Sequence, residues 1–256
     1  MSVRADPSPP PPEDPAFYAR PRFLHRTRLR QWWTVLHPPY TMLHLSLVTI
    51  GACLAGPVNA VKLLATLAAF FLALGVGAHA LDELHGRPLG TTIPSSHLVA
   101  AALTGLGGAV AFGIAGTFIV SPYLALFIVV GVVIAVGYNL ELYGGRLHTP
   151  AVVVLGWGAF PILTAYFAQH DALSLASLFA AAFGALITRI QQLLSTPARD
   201  LRRRAQSVAG EIVHLDGTTT PITRASLLRP FERALMTLCW SGVAIAVSLL
   251  LLRFRG

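Results

Sequence analysis

Long apolar runs recur along almost the whole chain and constrain its fold more than any other feature. A helix that crosses a bilayer needs roughly 20 mostly apolar residues, and by that measure the sequence predicts about seven spanning helices. The runs cover approximately residues 40–57, 60–84, 95–115, 118–141, 149–168, 172–196 and 232–252. Only 12% of the residues are charged, against roughly 25% in soluble domains. We therefore expect an all-α, polytopic membrane helix bundle.

The arginines lie mostly between the apolar runs and favour one side of the membrane. With seven spans, that side receives the N-terminal arginines, Arg87, Arg146 and the arginines between the sixth and seventh runs. The other side receives few charges, among them Lys62, Asp171 and Arg253. The positive-inside rule then predicts a cytoplasmic N-terminus and an outer C-terminus. We expect the membrane to be a prokaryotic plasma membrane. The same distribution explains the net charge of +8 without a nucleic-acid partner.

The segments outside the apolar runs predict three further parts of the chain. Residues 1–19 are rich in proline, which is typical of a disordered tail. Residues 20–39 mix arginines with tryptophans, so they form either a short helix in the headgroup region or a disordered basic anchor. The helix bundle occupies 40–256. Within it, alternating residues around an Asp-Gly pair predict a β-hairpin at 208–222.

A cluster of ionisable residues ends the second apolar run and is the first candidate site. His79, Asp82 and Glu83 stand at i, i+3 and i+4, which places them on one face of a helix. His85 and Arg87 follow in the next loop. The simpler interpretation is a set of interfacial charges that reach toward the headgroups. The alternative is a metal site, in which carboxylates favour magnesium or manganese and imidazoles favour zinc or iron.

Asp200 marks a second acidic helix end, at the close of the sixth run. A basic run at 202–204 follows it, and taken alone this combination is an ordinary solvated anchor. Under the predicted topology, however, Asp200 falls on the same side of the membrane as Asp82. Deeper in the sixth run, Arg189 either extends toward the headgroups or faces an inner cavity.

The connection between the fourth and fifth runs carries a third polar cluster. Tyr138 and nearby Tyr143 are typical of the aromatic belt at a membrane interface. Asn139 and Glu141 add polar groups that can face a shared cavity. Arg146 is a natural phosphate partner, because the guanidinium fork matches phosphate oxygens.

Together these three clusters resemble the UbiA-type intramembrane prenyltransferase superfamily. In that family a motif of the form N-D-x-x-D-x-x-x-D ends the second helix and is followed by R-P-L. Matching that motif on Asp82 leaves Arg87-Pro88-Leu89 as the R-P-L, after a shortened loop. Ala78, His79 and Gly86 then stand where the family has asparagine and two aspartates.

The family's second acidic motif ends the sixth helix, where Asp200 matches one aspartate. The partner aspartate is replaced by Thr196 or Pro197, depending on the motif spacing. Tyr138 and Arg146 resemble the tyrosine and the basic residue that follow the family's fourth helix. The resemblance covers about residues 30–205, but the family has nine helices where this chain predicts about seven.

The resemblance implies transfer of a polyprenyl group from a diphosphate donor to a lipophilic or aromatic acceptor. It implies that Mg²⁺ is held by Asp82, Glu83 and Asp200, with His79 as a further ligand or a base. The residues implied for binding the isoprenyl diphosphate are Arg87, Tyr138, Asn139, Arg146 and Arg203.

Two alternatives stay open at the level of sequence. The replaced aspartates favour a non-catalytic UbiA-like subunit that binds lipid or helps an assembly. A metalloenzyme of another class is the second alternative, built from His79, Asp82, Glu83 and His85, with His148 as a further candidate ligand. In every case membrane lipids are expected partners, and the sequence names no protein partner.

Overall fold

A computed structural model describes residues 28–254 of this chain. The predicted tail, 1–19, and the first part of the basic segment, 20–27, lie outside these residues. The described part contains eight helices and one two-stranded hairpin. They are α1 (Arg28–Leu36), α2 (Pro38–Leu54), α3 (Ala60–Leu84), α4 (Ser95–Ile119), α5 (Leu124–Asn139), α6 (Pro150–His170), α7 (Leu175–Arg203), β1 (Glu211–Val213), β2 (Thr219–Pro221) and α8 (Arg224–Phe254).

Five of these helices are long and apolar enough to cross a bilayer, which indicates a membrane protein. They are α3, α4, α6, α7 and α8. Two further predicted spans correspond to shorter helices, the 17-residue α2 and the 16-residue α5. At about 1.5 Å per residue, α5 is roughly 24 Å long and falls short of a hydrocarbon core of about 30 Å. The all-α expectation is confirmed, whereas the count of seven spans is matched by only five long helices in the described residues.

The short helix α2 occupies the centre of the bundle. It packs against α6 and α8, and most of its side chains are buried, including the polar Thr41, His44 and Ser46. A Cβ atom on Gly51 would lie 2.4 Å from the Ile162 carbonyl oxygen, so the two backbones approach closely. The weak hydropathy of this run therefore reflects a helix that is covered by protein on several sides.

Helix α7 buries small and polar residues and exposes large apolar ones, which is the arrangement expected of a helix that contacts lipid. Its buried positions repeat every three or four residues and are Ser177, Ala181, Gly184, Thr188, Gln191, Ser195 and Ala198. Its opposite face exposes large apolar side chains such as Phe179, Leu186 and Leu193. Small residues let membrane helices approach closely, and here Gly184 meets Gly158 of α6. We conclude that α7 turns its apolar face outward, as a lipid-facing helix does.

Two helices contain π-helical segments, at Phe71–Ala78 of α3 and Val154–Ala159 of α6. Both segments contain two glycines, Gly75 and Gly77 in the first and Gly156 and Gly158 in the second. π-Helical turns are rare and occur frequently at functional sites. Neither segment can be recognised from an apolar run, because the hydropathy pattern does not distinguish it from an α-helix.

The hairpin and the end of α7 complete the architecture. Strands β1 and β2 pair antiparallel, with Ile212 opposite Thr220. Arg202 at the end of α7 forms an ion pair with Glu232 of α8, whose side chain is almost fully buried. A buried ion pair requires both partners, since removing one strands the other charge. This pair therefore fixes α8 to the end of α7.

Candidate functional site

The three polar clusters predicted from the sequence meet at one end of the bundle. Arg203 Nη2 donates a hydrogen bond of 2.9 Å to the Pro88 carbonyl, which joins the end of α7 to the loop after α3. His85 Nε2 lies 3.8 Å from Glu141 Oε1, which joins that loop to the loop after α5. We call this end, formed by residues 82–94, 138–149 and 199–204, the arginine-rich end.

Glu83, in the last turn of α3, is buried, and the loop after α3 is bonded to its side chain. Its side chain has 0% exposure. Its two oxygens accept hydrogen bonds from the Leu89 amide at 2.9 Å, the Thr91 amide at 2.9 Å and the Thr91 hydroxyl at 2.7 Å. Buried carboxylates are stable when such donors satisfy them. Glu83 thus stabilises the fold of the loop. Metal ligation by Glu83, as predicted from the sequence, would compete with these three hydrogen bonds.

Arg87 closes the same loop from the other side. Its Nη1 donates to the Ile93 carbonyl at 2.6 Å, and its Nη2 donates to the Ser95 hydroxyl at 2.7 Å. Its backbone has a φ of 53°, in the left-handed region. The guanidinium is therefore directed at the loop and the start of α4. Arg87, Pro88 and Leu89 all have structural partners here, and diphosphate binding by Arg87 stays a prediction.

Asp82 differs from its neighbour because its side chain is exposed. It lies within electrostatic range of Arg199 and Arg203 of α7 and of His148 in the loop after α5. Asp200 is also exposed, and its Oδ1 lies 3.7 Å from Nε of Arg204. Both acidic helix ends are thus at the arginine-rich end, each beside arginine side chains.

His79 faces a different part of the molecule. Its Nδ1 lies 3.3 Å from the Gly75 carbonyl oxygen, and its ring also contacts the Leu36 carbonyl. Its ring centroid is 6.0 Å from that of His37, at the junction of α1 and α2. His79, Asp82 and Glu83 therefore occupy three separate environments despite their helical spacing.

The loop after α5 supplies an aromatic and polar wall. Tyr138 stacks on His148 with ring centroids 4.3 Å apart and an interplanar angle of 17°. Glu141 Oε1 lies 3.8 Å from Nδ1 of the same histidine. Asn139 donates to the Ala135 carbonyl of its own helix at 2.6 Å. Arg146, in the same loop, is exposed.

The donor set at the arginine-rich end does not fit two magnesium ions and a diphosphate. Among residues 28–254, no three His, Cys, Asp or Glu side chains come together as a group that could hold a metal. Glu83 is bonded to its loop, Asp82 faces arginines, and Asp200 lies beside Arg204. Magnesium prefers several oxygen ligands at once. As they are arranged, these side chains do not form a magnesium–diphosphate site.

An apolar cavity of about 130 Å³ lies between α3, α4, α5 and α6, and its lining follows α5 from Leu124, at the start of that helix, to Ala135, about one turn before its end at Asn139. Apart from Thr164, the residues that line it are apolar or glycine, among them Phe70, Ala109 and Gly131. Val132 also lines the cavity and is 37% exposed, so the cavity reaches the outer surface of the bundle. Apolar cavities of about 150 Å³ stay dry and bind molecules the size of benzene.

Trp157 connects the cavity to the arginine-rich end and has no distinctive sequence signal. It lines the cavity, and its ring centroid lies 5.0 Å from that of Tyr138. Its carbonyl oxygen lies 2.9 Å from His44 Nδ1 of the central helix. In the sequence it is one tryptophan within an apolar run, although the glycines on both sides of it indicate close packing.

No protein-family model matches this chain, and no curated protein or solved structure matches it.

Proposed function

We propose that this protein binds the apolar chain of a membrane lipid in its cavity, with the polar head of that lipid at the arginine-rich end. The observation that carries the proposal is Trp157, which lines the cavity and contacts Tyr138 beside the charged residues. Binding sites with an apolar body and a few polar groups at one end suit amphipathic ligands. The proposed class is a lipid-binding helix bundle that resembles the UbiA superfamily without its metal chemistry.

The size and opening of the cavity favour a flexible hydrocarbon chain. A volume of about 130 Å³ holds a short branched segment, roughly one isoprene unit by comparison with benzene. The rest of a longer chain can leave past the exposed Val132 and continue along the bundle surface. An isoprenoid tail fits this description and agrees with the resemblance seen in the sequence.

The charges at the arginine-rich end favour an anionic head. Arg199 and Arg203 lie around the exposed Asp82, and Arg146 is exposed nearby on the loop after α5. Guanidinium groups bind phosphate and carboxylate oxygens in a bidentate manner. The excess of arginine at this end also leads us to propose that it faces the cytoplasm, in keeping with the positive-inside rule.

The cavity can be filled by one substitution and compared with a matched control. Ala109 lines the cavity, whereas Ala111 is on the same helix and is exposed. We expect Ala109→Phe to lower binding of a photoactivatable geranylgeranyl phosphate probe at least tenfold, and Ala111→Phe to leave it unchanged. Crosslinking is measured in nanodiscs, with thermal unfolding of each variant as the folding control. Equal crosslinking of both variants would contradict the proposed cavity site.

Prenyl transfer is tested directly with the same purified protein. Geranylgeranyl diphosphate, magnesium and a lipid extract are incubated with wild type and with Asp82→Asn, and prenylated products are measured by mass spectrometry. We expect no product from either protein. Product formation that requires magnesium and is lost in Asp82→Asn would replace the proposed binding function by a transferase activity.

A further inference from the structure

Helix α7 carries an arginine on the face that points away from the bundle. Arg189 is exposed, and the large side chains around it on that face, Leu186, Ile190 and Leu193, are exposed and apolar. The opposite face, with Thr188 and Gln191, is buried. Ionisable residues in spanning helices usually face the bundle interior, so an outward-facing arginine requires a partner in or beside the bilayer.

The contacts of Arg189 leave its charge without an acidic partner in the described part of the chain. Arg189 Nη1 lies 3.4 Å from Oε1 of Gln192, one turn further along α7. Gln192 Nε2 in turn donates to the Pro150 carbonyl at the start of α6, at 3.3 Å. The ion pairs of residues 28–254 do not include Arg189. The two side chains therefore form a polar spot between α6 and α7, with a net positive charge.

The depth of Arg189 places this spot below one headgroup layer. If the hydrocarbon core begins near Leu175, a span of roughly 20 residues ends near Ser195. Arg189 is then about six residues, or roughly 9 Å, inside that boundary. An arginine at this depth extends its side chain toward the headgroups while its stem stays in the apolar layer.

From this geometry we infer that Arg189 and Gln192 bind the headgroup phosphate of an anionic phospholipid, in the crevice between α6 and α7 on the side of the arginine-rich end. Arginine forms charge-assisted hydrogen bonds with phosphate oxygens, and basic spots between membrane helices are known sites for anionic headgroups. This site is separate from the proposed lipid cavity, which α3, α4, α5 and α6 line. It stands whether or not the cavity binds a lipid.

The test compares phosphatidylglycerol with phosphatidylcholine and Arg189 with another exposed arginine. The full-length protein is placed in nanodiscs of each lipid or of mixtures, and the lipids that stay bound are counted by native mass spectrometry. We expect Arg189→Gln to lower retention of phosphatidylglycerol at least fivefold, and Arg189→Lys to restore part of it. Arg229→Gln, which removes the same charge from an exposed position of α8, should leave retention unchanged.

Three results would overturn the inference. Equal losses in Arg189→Gln and Arg229→Gln would mean that only the overall charge attracts the lipid. Unchanged retention in Arg189→Gln, with normal thermal unfolding in phosphatidylcholine, would exclude the site. Displacement of the lipid by soluble glycerol phosphate at equal concentration would show that a free phosphate, rather than a bilayer lipid, is the ligand.

Discussion

The loop after α3 and the loop after α5 carry similar charged residues but use them in opposite ways. In the first loop, Arg87 and the neighbouring Glu83 at the end of α3 bind the loop's own backbone and hydroxyl groups. In the second, backbone bonds such as Gly145 N to Glu141 O, at 2.9 Å, shape the loop. Its side chains, including Tyr143 and Arg146, remain exposed.

The difference shows that burial decides which charges are free to bind a ligand. Glu83 is fully buried, so its carboxylate requires donors from its own chain. Glu141 is exposed, with His85 and His148 each 3.8 Å away. The first loop is therefore a rigid support, and the second is the surface at which a ligand head can be recognised.

The largest effect on stability is expected when Glu83, which the loop after α3 is bonded to, loses its carboxylate. Glu83→Ala leaves the partly buried Leu89 and Thr91 amides and the Thr91 hydroxyl without their acceptor. Stranded buried donors cost roughly 1–3 kcal/mol each, so we expect a loss of about 3–5 kcal/mol in the free energy of unfolding. Denaturant unfolding in detergent micelles measures it.

Asp82→Ala is the control for that substitution, because this neighbouring carboxylate is exposed and has no such bonds within residues 28–254. We expect it to change the free energy of unfolding by less than about 1 kcal/mol. Equal destabilisation by both substitutions would show that the two carboxylates do not differ in the way the loop bonds indicate.

A smaller difference in stability is expected between substitutions of Arg87, in the loop after α3, and of Arg146, in the loop after α5. Arg87→Met removes the bonds to the Ile93 carbonyl and the Ser95 hydroxyl, and we expect a loss of about 1–3 kcal/mol. Arg146→Met, in the exposed loop, should stay within about 0.5 kcal/mol of wild type, as surface substitutions usually do. Binding of an anionic lipid probe should respond in the reverse order, with Arg146→Met the more affected variant. A stability loss shared by both variants would remove the distinction between support and recognition surface.

The helices were largely predictable from the sequence, because each apolar run supplies its own local signal. The run predicted at 60–84 corresponds to Ala60–Leu84, and the run at 95–115 to Ser95–Ile119. The central position of α2 was not predictable, since a helix covered by protein and a weak span have the same modest hydropathy. The length of α5 was overestimated because its predicted run also included Pro122 and the turn around it.

The sequence predicted which end of the bundle carries the candidate site. It predicted much less well which hydrogen bonds the residues of that site form. The sequence placed Asp82, Tyr138 and Arg203 on one side of the membrane, and they lie at one end of the bundle. It could not predict that Glu83 and Arg87 bind this loop, because most of their partners are main-chain groups that every residue possesses. Helical spacing indicates which side chains can meet, but a loop that folds back over a helix end decides which of them do.

The smallest effect concerns the hairpin, where an exposed carboxylate repeats the bonds of Glu83. Asp216 Oδ1 accepts hydrogen bonds from the Thr218 amide at 3.0 Å and the Thr218 hydroxyl at 2.7 Å. These bonds favour the ionised form and hold the pKa of Asp216 below its usual range. The stabilisation is thus complete above the ordinary aspartate pKa of about 3.9 and disappears as the pH falls through the lower folded value.

We expect the amide resonance of Thr218 to stay constant above about pH 5 and to shift only below about pH 4. Nuclear magnetic resonance of threonine-labelled protein in nanodiscs measures this shift, and Asp216→Asn should abolish it. The midpoint of global unfolding should not change in Asp216→Ala, because water replaces the lost bonds at an exposed turn. A global loss comparable to that of Glu83→Ala would mean that the carboxylate–threonine arrangement, and not burial, determines how strongly such a loop stabilises the protein.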